Sequence, residues 1–275
     1  MVEGEQARVS EEEQTRMSEE GVAPVGARPT FTVAEGLADL RRRQGPGTLK
    51  YRNAKFLSAI VPVDRKVCDA LLPFGVRMAE ASTALLFVAD YPWTNFNSVY
   101  REAAIFLNVR HRRSQAAHCP WIVVDDDTAL IGGRETLGFP KKIAEIDWVE
   151  EDYVVHATVR RRGVELLRLR GVLGDHKYTL PPIFGQPFRN VLGTFGLSVP
   201  RLVTFRTVDQ PLEQRAAHVD LTVSGSYTDP LDAIVSGPPV EGHFRRVDMR
   251  VGRLPMPVGL VSPSYLVRTH PLRAS

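Results

Sequence analysis

From about residue 50 onward the chain is written in short runs of β-branched and aromatic residues, each cut off by glycine, proline or a charged turn. The runs at 58–63, 84–89, 100–110 and 121–124 have the length and residue types of strands, not the 3.6-residue periodicity of an amphipathic helix. Residues 154–160 and 164–173 flank Arg161-Arg162-Gly163 and predict a hairpin with a charged tip. Residues 202–208 and 219–224 read as further strands, and 183–189 as a loop. Helix signals are few. Thr32 and Glu35 form a capping box ahead of Val33, Leu37 and Leu40, Arg41–Arg43 suit the C-terminal end of that dipole, and Gly45-Pro46-Gly47 stops it. Asp64 is placed to cap a short helix through Val67, Ala70 and Leu71. With no internal repeat and no mid-chain linker, residues 27–275 are expected to form one mainly β (α+β) domain. Its antiparallel sheet should be closed or nearly closed, because an open sheet of this size would expose its edges.

The first 26 residues differ in kind. They are rich in Glu, Gln, Ser and Gly, and cannot bury enough apolar surface to offset the entropy of ordering them, so a disordered acidic tail is expected. Residues 1–20 hold seven glutamates against Arg8 and Arg16, a charge of −5, which leaves +8 on the remainder of a chain whose net charge is +3. That basicity suits acidic metabolites. It is scattered, not striped between aromatics, so nucleic acid is not an expected partner. No apolar run approaches the roughly 20 residues of a membrane span, and the polar start is unlike a signal peptide. Cys68 and Cys119 lie far apart and form no CxxC, which fits reduced thiols and a cytoplasmic protein.

Most chemistry-bearing patterns fail. None of the seven histidines forms HxxxH or HExxH, so no metal is expected. Asp125-Asp126-Asp127 reads as a solvated turn, Gly132-Gly133 lacks the spacing of a nucleotide fingerprint, and no GxSxG supports a serine nucleophile. What remains is "GRETLGFPKK", residues 133–142: two lysines directly after a proline, at the end of an apolar, turn-rich stretch. The plain reading is a surface turn; the other is an amine kept neutral to attack a carbonyl.

A free lysine is only about 0.04% neutral at pH 7. Lowering its pKa by about four units costs the ammonium roughly 5–6 kcal/mol. A second cation at about 6 Å supplies roughly 2.8 kcal/mol at an effective dielectric near 20, so desolvation must supply the rest. If residues 139–144 are extended, Lys141 shares a face with Phe139 and Ile143, and Lys142 with Pro140 and Ala144. The bulkier face excludes water better and favours Lys141 as the neutral amine.

Gly-Arg-Glu, two residues, an aromatic, Pro, Lys, Lys resembles the signature of the acetoacetate decarboxylase family. So does Tyr100-Arg-Glu102, at the distance where the family carries Tyr-x-Glu, and Tyr51-Arg-Asn53 leading into 58–72. The resemblance covers roughly residues 48–268. It implies a cone-shaped antiparallel β-barrel, a homo-oligomer, no cofactor, and a Schiff-base lysine, a nucleophile of which acetoacetate decarboxylase is a standard example. Carried over by position, Lys141 is the nucleophile, Lys142 its cationic neighbour and Glu102 the acid–base carboxylate. The implied reaction is decarboxylation of acetoacetate or a related β-keto acid.

Two positions depart from the family. Ala54 stands where its decarboxylases carry an arginine, with Arg52 one residue before the asparagine, and apolar Phe87 stands at the place of a second carboxylate. Arg52, Phe87 and Phe139 are the expected substrate contacts, in a pocket that is larger and greasier than a small keto acid needs. An aldolase-dehydratase or cyclase acting on a larger keto substrate is therefore the main alternative, and a non-catalytic binding barrel the second.

Overall fold

A computed structural model describes residues 32–44, 48–176, 178, 183–193, 199–251 and 255–274. The acidic tail and Gly45-Pro46-Gly47 lie outside the described residues. Among those described, no helix is long and apolar enough to cross a membrane.

In chain order, helix α1 (Val33–Gln44) precedes β1 (Leu49–Pro62), α2 (Arg65–Leu71), β2 (Val76–Met78), β3 (Thr83–Tyr91), β4 (Trp93–Thr94), β5 (Tyr100–His111) and β6 (Ser114–Val124). Then come α3 (Asp127–Leu137), β7 (Lys141–Ile143), β8 (Glu145–Glu151), β9 (Val154–Arg161), β10 (Val164–Leu173), β11 (Asn190–Leu192), β12 (Arg201–Thr204) and β13 (Thr207–Val223). The chain ends with α4 (Leu231–Ile234), β14 (Glu241–Val251), β15 (Met256–Leu260), α5 (Pro263–Arg268) and α6 (His270–Ala274). The fold is mostly strand with a few short helices, as the residue runs indicate.

The main sheet runs β7-β6-β5-β3-β1-β14-β13-β10-β9-β8, with β2 on β5 and β4 on β1. Every pairing is antiparallel except β6 with β7. The two ends of this path, β7 and β8, are not hydrogen-bonded to each other. They are consecutive in the chain, separated by Ala144 alone, whose N–H donates to the Val124 carbonyl at 2.9 Å. The sheet must therefore curl back on itself, and the backbone joins its edges where a hydrogen-bonded seam would close a complete barrel. A small second sheet, β11-β12-β15, lies beside it.

Strand alternation gives the sheet two apolar faces. Leu57, Leu86, Val88, Ile105 and Trp121 belong to the main core with Val155, Ala157, Leu167 and Leu169 of the hairpin β9–β10. The opposite face carries Phe56, Phe87, Tyr91, Tyr100 and Phe139, joined by Phe188 and Phe205 into an aromatic cluster. A bulge in β1 sets the parity: the register against β14 shifts between Tyr51 and Ala54, and Asn53 takes φ 54° with its N–H on Asp248 Oδ1 at 2.8 Å. The extra residue puts Tyr51 and Ala54 on the same face, and asparagine is among the side chains that tolerate this backbone.

Several boundaries differ from the sequence reading. The 202–208 run is split: β12 joins the small sheet, Phe205 turns into the aromatic cluster, and β13 starts at Thr207. The 219–224 run is only the end of that long strand, whose earlier part is polar, half-exposed and interrupted by Pro211. Helix α3 is absent from the sequence reading altogether. Its two glycines and weak periodicity hide it, and Asp126, taken for a solvated turn, is its N-cap, accepting from Ala129 N–H at 2.7 Å.

Candidate active site

The stretch GRETLGFPKK resolves into four local devices. Helix α3 ends at Leu137, and Gly138 takes the left-handed conformation at φ 67° and caps it. A side chain at Gly138 would meet the backbone of Val191 and Leu192 at 3.0 Å, so glycine is needed both for conformation and for space. Phe139 then turns into the aromatic cluster, and Pro140 leads into β7, whose Lys141 pairs with Ile122. Arg134 of the same helix holds the result in place, donating from Nη1 to the Lys141 carbonyl at 2.9 Å and to the Arg273 carbonyl at 2.8 Å.

The two lysines leave β7 on opposite faces, and both are buried. Lys141 Nζ lies 2.7 Å from Glu102 Oε2, and the Tyr91 hydroxyl donates to Glu102 Oε1 at 3.2 Å. The ammonium stands 5.1 Å from the centre of the Tyr100 ring. Burial pushes the phenols of Tyr51, Tyr91 and Tyr100 upward, with the Glu102 charge adding to it, so all three remain hydrogen-bond donors. Cys119 is likewise raised, by burial first and Glu102 second, and is no nucleophile here. Helix α3 makes room for the amine: a Cβ on Gly133 would sit 2.5 Å from Lys141 Cε and 3.1 Å from Nζ.

Lys142 points into the main core. Its Nζ donates to Asp229 Oδ1 at 2.5 Å and to the Thr228 carbonyl at 2.7 Å, while Arg161 Nη1 reaches Asp229 Oδ2 at 2.9 Å and Trp121 Nε1 reaches Oδ1 at 2.8 Å. Burial raises Asp229, but hydrogen bonds from Lys142, Trp121 and Thr228 outweigh it and hold the carboxyl at about 2. Burial lowers Lys142 to about 8 against the pull of Asp229, since two cations share one carboxylate. Lys142 is therefore tied to a separate ionic cluster and does not face Lys141 as a bare neighbouring charge. Arg161, expected at an exposed hairpin tip, is turned inward to the same carboxylate.

Lys141 and Glu102 open on a cavity of about 90 Å³ whose walls include Phe56, Phe87, Phe106, Phe139 and Phe188. Phe87 and Phe139, the apolar contacts expected from the sequence, are both in its lining. Arg52 is not. It is exposed, stacks on Trp93 at 4.7 Å, and borders a different groove, because the β1 bulge turns Tyr51 and Ala54 inward and Arg52 out. The cavity holds an arginine that sequence reasoning missed, Arg245 of β14, which is 2% exposed. Arg245 pairs with Phe56, Phe56 with Ala89, and Ala89 with Glu102, so the guanidinium and carboxylate project from one rung and one face of the sheet. Three strand spacings, about 14 Å, separate their backbones, and the small Ala89 leaves space between. Among the described residues the hydrogen bond made by Arg245 runs from Nη2 to Asp209 Oδ2 at 2.9 Å, Nε has no partner, and Phe184 lies 4.4 Å over the guanidinium. Only strand register connects residues 102 and 245, so no spacing in the sequence signals the pair.

Among the described residues no three His, Cys, Asp or Glu side chains cluster as metal ligands. What the site offers is an amine in contact with a carboxylate, in an aromatic-walled cavity that, among the described residues, also holds Arg245.

A family model described as acetoacetate decarboxylase matches residues 39–257. Acetoacetate decarboxylase 3 of Mesorhizobium japonicum is 25% identical over 52% of this chain and 57% of its own length, so the chain aligns with little more than half of that curated relative. Among solved structures, acetoacetate decarboxylase from Legionella pneumophila superposes with a TM-score of 0.70 at 15% identity, covering 78% of this chain and 88% of that one. The enduracididine biosynthesis enzyme MppR, complexed with the condensation product of pyruvate and imidazole 4-carboxaldehyde, superposes with a TM-score of 0.65 at 16% identity over 87% of this chain and 99% of its own. At these identities the structural likeness is one of fold.

Proposed function

The chain belongs to the acetoacetate decarboxylase family, and from that premise we propose that it is a lysine-imine enzyme that decarboxylates a β-keto acid. The observation that carries this reading is the buried contact of Lys141 Nζ with Glu102 at 2.7 Å inside an aromatic cavity. Moving one proton across that contact turns the ion pair into a neutral amine and a neutral acid without changing the net charge of the cavity. The amine then adds to the ketone carbon; the carbonyl oxygen departs as water, and the C=N bond is left protonated.

In this imine the bond to the carboxylate carbon breaks, its electron pair moves toward the nitrogen, and CO2 leaves an enamine. Glu102, which gave up its proton as the water left, takes another from solvent and delivers it to the enamine carbon, and water hydrolyses the resulting imine to free the ketone and Lys141. Arg245, the arginine that lines the cavity among the described residues, orients the carboxylate arm before it is lost. The aromatic walls exclude water from the imine. The cavity of about 90 Å³ suits a small acid, since one water needs about 10–15 Å³.

Borohydride reduction in the presence of acetoacetate tests this directly. A mass adduct in the native chain that is missing from Lys141→Ala, together with CO2 release, supports the reading; no adduct with any keto compound sinks it and leaves a binding barrel. The enamine is also a carbon nucleophile, and the fold is shared with MppR, which is complexed with a condensation product. Condensation is therefore the second reading, distinguished by turnover that needs an added aldehyde and releases no CO2 from acetoacetate alone.

A further inference from the structure

Lys141 borders two cavities. The second lies under α3, measures about 220 Å³, and shares Tyr51, Tyr100, Leu137 and Lys141 with the first. The two differ in character. Charged groups other than the lysine, namely Glu102, Asp209 and Arg245, line the first. Among the described residues, the second presents Leu49, Phe96, Ile131 and the α3 glycines, with no charged side chain except Lys141. At the helix, a Cβ on the partly exposed Gly132 would meet nothing within 4 Å, so a side chain there has room.

An imine carbon is planar, and its two carbon substituents diverge from the nitrogen in that plane. With Lys141 at the boundary, one arm of a bound ketone is directed into each cavity. The carboxylate arm belongs on the side of Arg245, which leaves the other arm for the apolar chamber. The methyl group of acetoacetate would leave that chamber nearly empty.

Resting on the lysine-imine reading above, we propose that the chamber under α3 binds the alkyl or aryl arm of a 3-oxo acid. The preferred substrates are then 3-oxo acids longer than acetoacetate, and Gly132 sets how long that arm can be. Each methylene buried there gains about fourfold in kcat/KM.

The test is a substrate series, 3-oxobutanoate, 3-oxopentanoate and 3-oxohexanoate, followed both by CO2 release and by the mass of the borohydride-trapped adduct. The expected result is a kcat/KM for 3-oxohexanoate roughly 15-fold above that for 3-oxobutanoate, and a ratio near unity in Gly132→Leu. Thr128→Leu, at another wall of the chamber, should also lower the ratio, so the test does not depend on one variant folding. Trapped adducts with no chain-length preference, or a preference untouched by both substitutions, overturn the chamber assignment alone. No adduct with any member of the series overturns the imine reading and this inference with it.

Discussion

Lys141 and Lys142 are neighbours in sequence with opposite surroundings: the first meets Glu102 at 2.7 Å in a cavity, the second meets Asp229 at 2.5 Å in the main core. Their substitutions should separate accordingly. Lys141→Ala abolishes the borohydride adduct and also lowers stability against urea, since it leaves the buried Glu102 with the Tyr91 hydroxyl as its donor among the described residues. Lys142→Met strands Asp229 with fewer donors and costs about 3–5 kcal/mol, while the folded fraction still forms the adduct. Mass spectrometry and denaturant titration of both variants check this; loss of the adduct in folded Lys142→Met would assign the nucleophile wrongly.

Gly133 is predicted to be intolerant for a steric reason. Its missing side chain is the space occupied by Lys141 Cδ and Cε, at 2.6 and 2.5 Å from where a Cβ would be. Gly133→Ala improves helix propensity but displaces the amine, and a shift of about 1 Å at a reacting group can cost about 100-fold. Steady-state turnover against a circular-dichroism control measures it.

Arg245→Gln should raise KM for keto acids by about 10- to 100-fold, the loss of one hydrogen bond to a charged group. Trapping of acetone, which has no carboxylate, should be unchanged. Equal losses with acetone and acetoacetate would mean that Arg245 only holds Asp209 and Phe184 in place.

A pH prediction rests on His118, which is 1% exposed, donates from Nδ1 to the Arg189 carbonyl at 2.6 Å, and lies 3.4 Å from the Tyr265 hydroxyl. Burial lowers its pKa from 6.5 to about 4. Between those values the unfolded chain binds a proton that the folded chain does not, so stability is complete above 6.5 and falls as the pH drops towards 4. The loss is about 3 kcal/mol, and His118→Gln should flatten this part of the acid limb in urea titrations at a series of pH values.

The sequence by itself determined the strand-rich architecture, because β-branched and aromatic runs broken by Gly and Pro have few other stable arrangements. It also determined the lysine segment, where alternation alone predicts that residues 141 and 142 part company across a strand. Local rules reached as far as Phe139, which shares the amine's face, Phe87 having been reached through the family resemblance. They failed at Arg52, since a single extra residue in β1 reverses which side chains point inward, and at α3, whose caps and glycines carry little periodic signal. Tertiary structure decided the rest. Glu102, Arg245 and Asp229 come to their partners through strand register and the curl of one sheet, long-range choices set by how two apolar faces are buried together and not by any residue's neighbours in the chain.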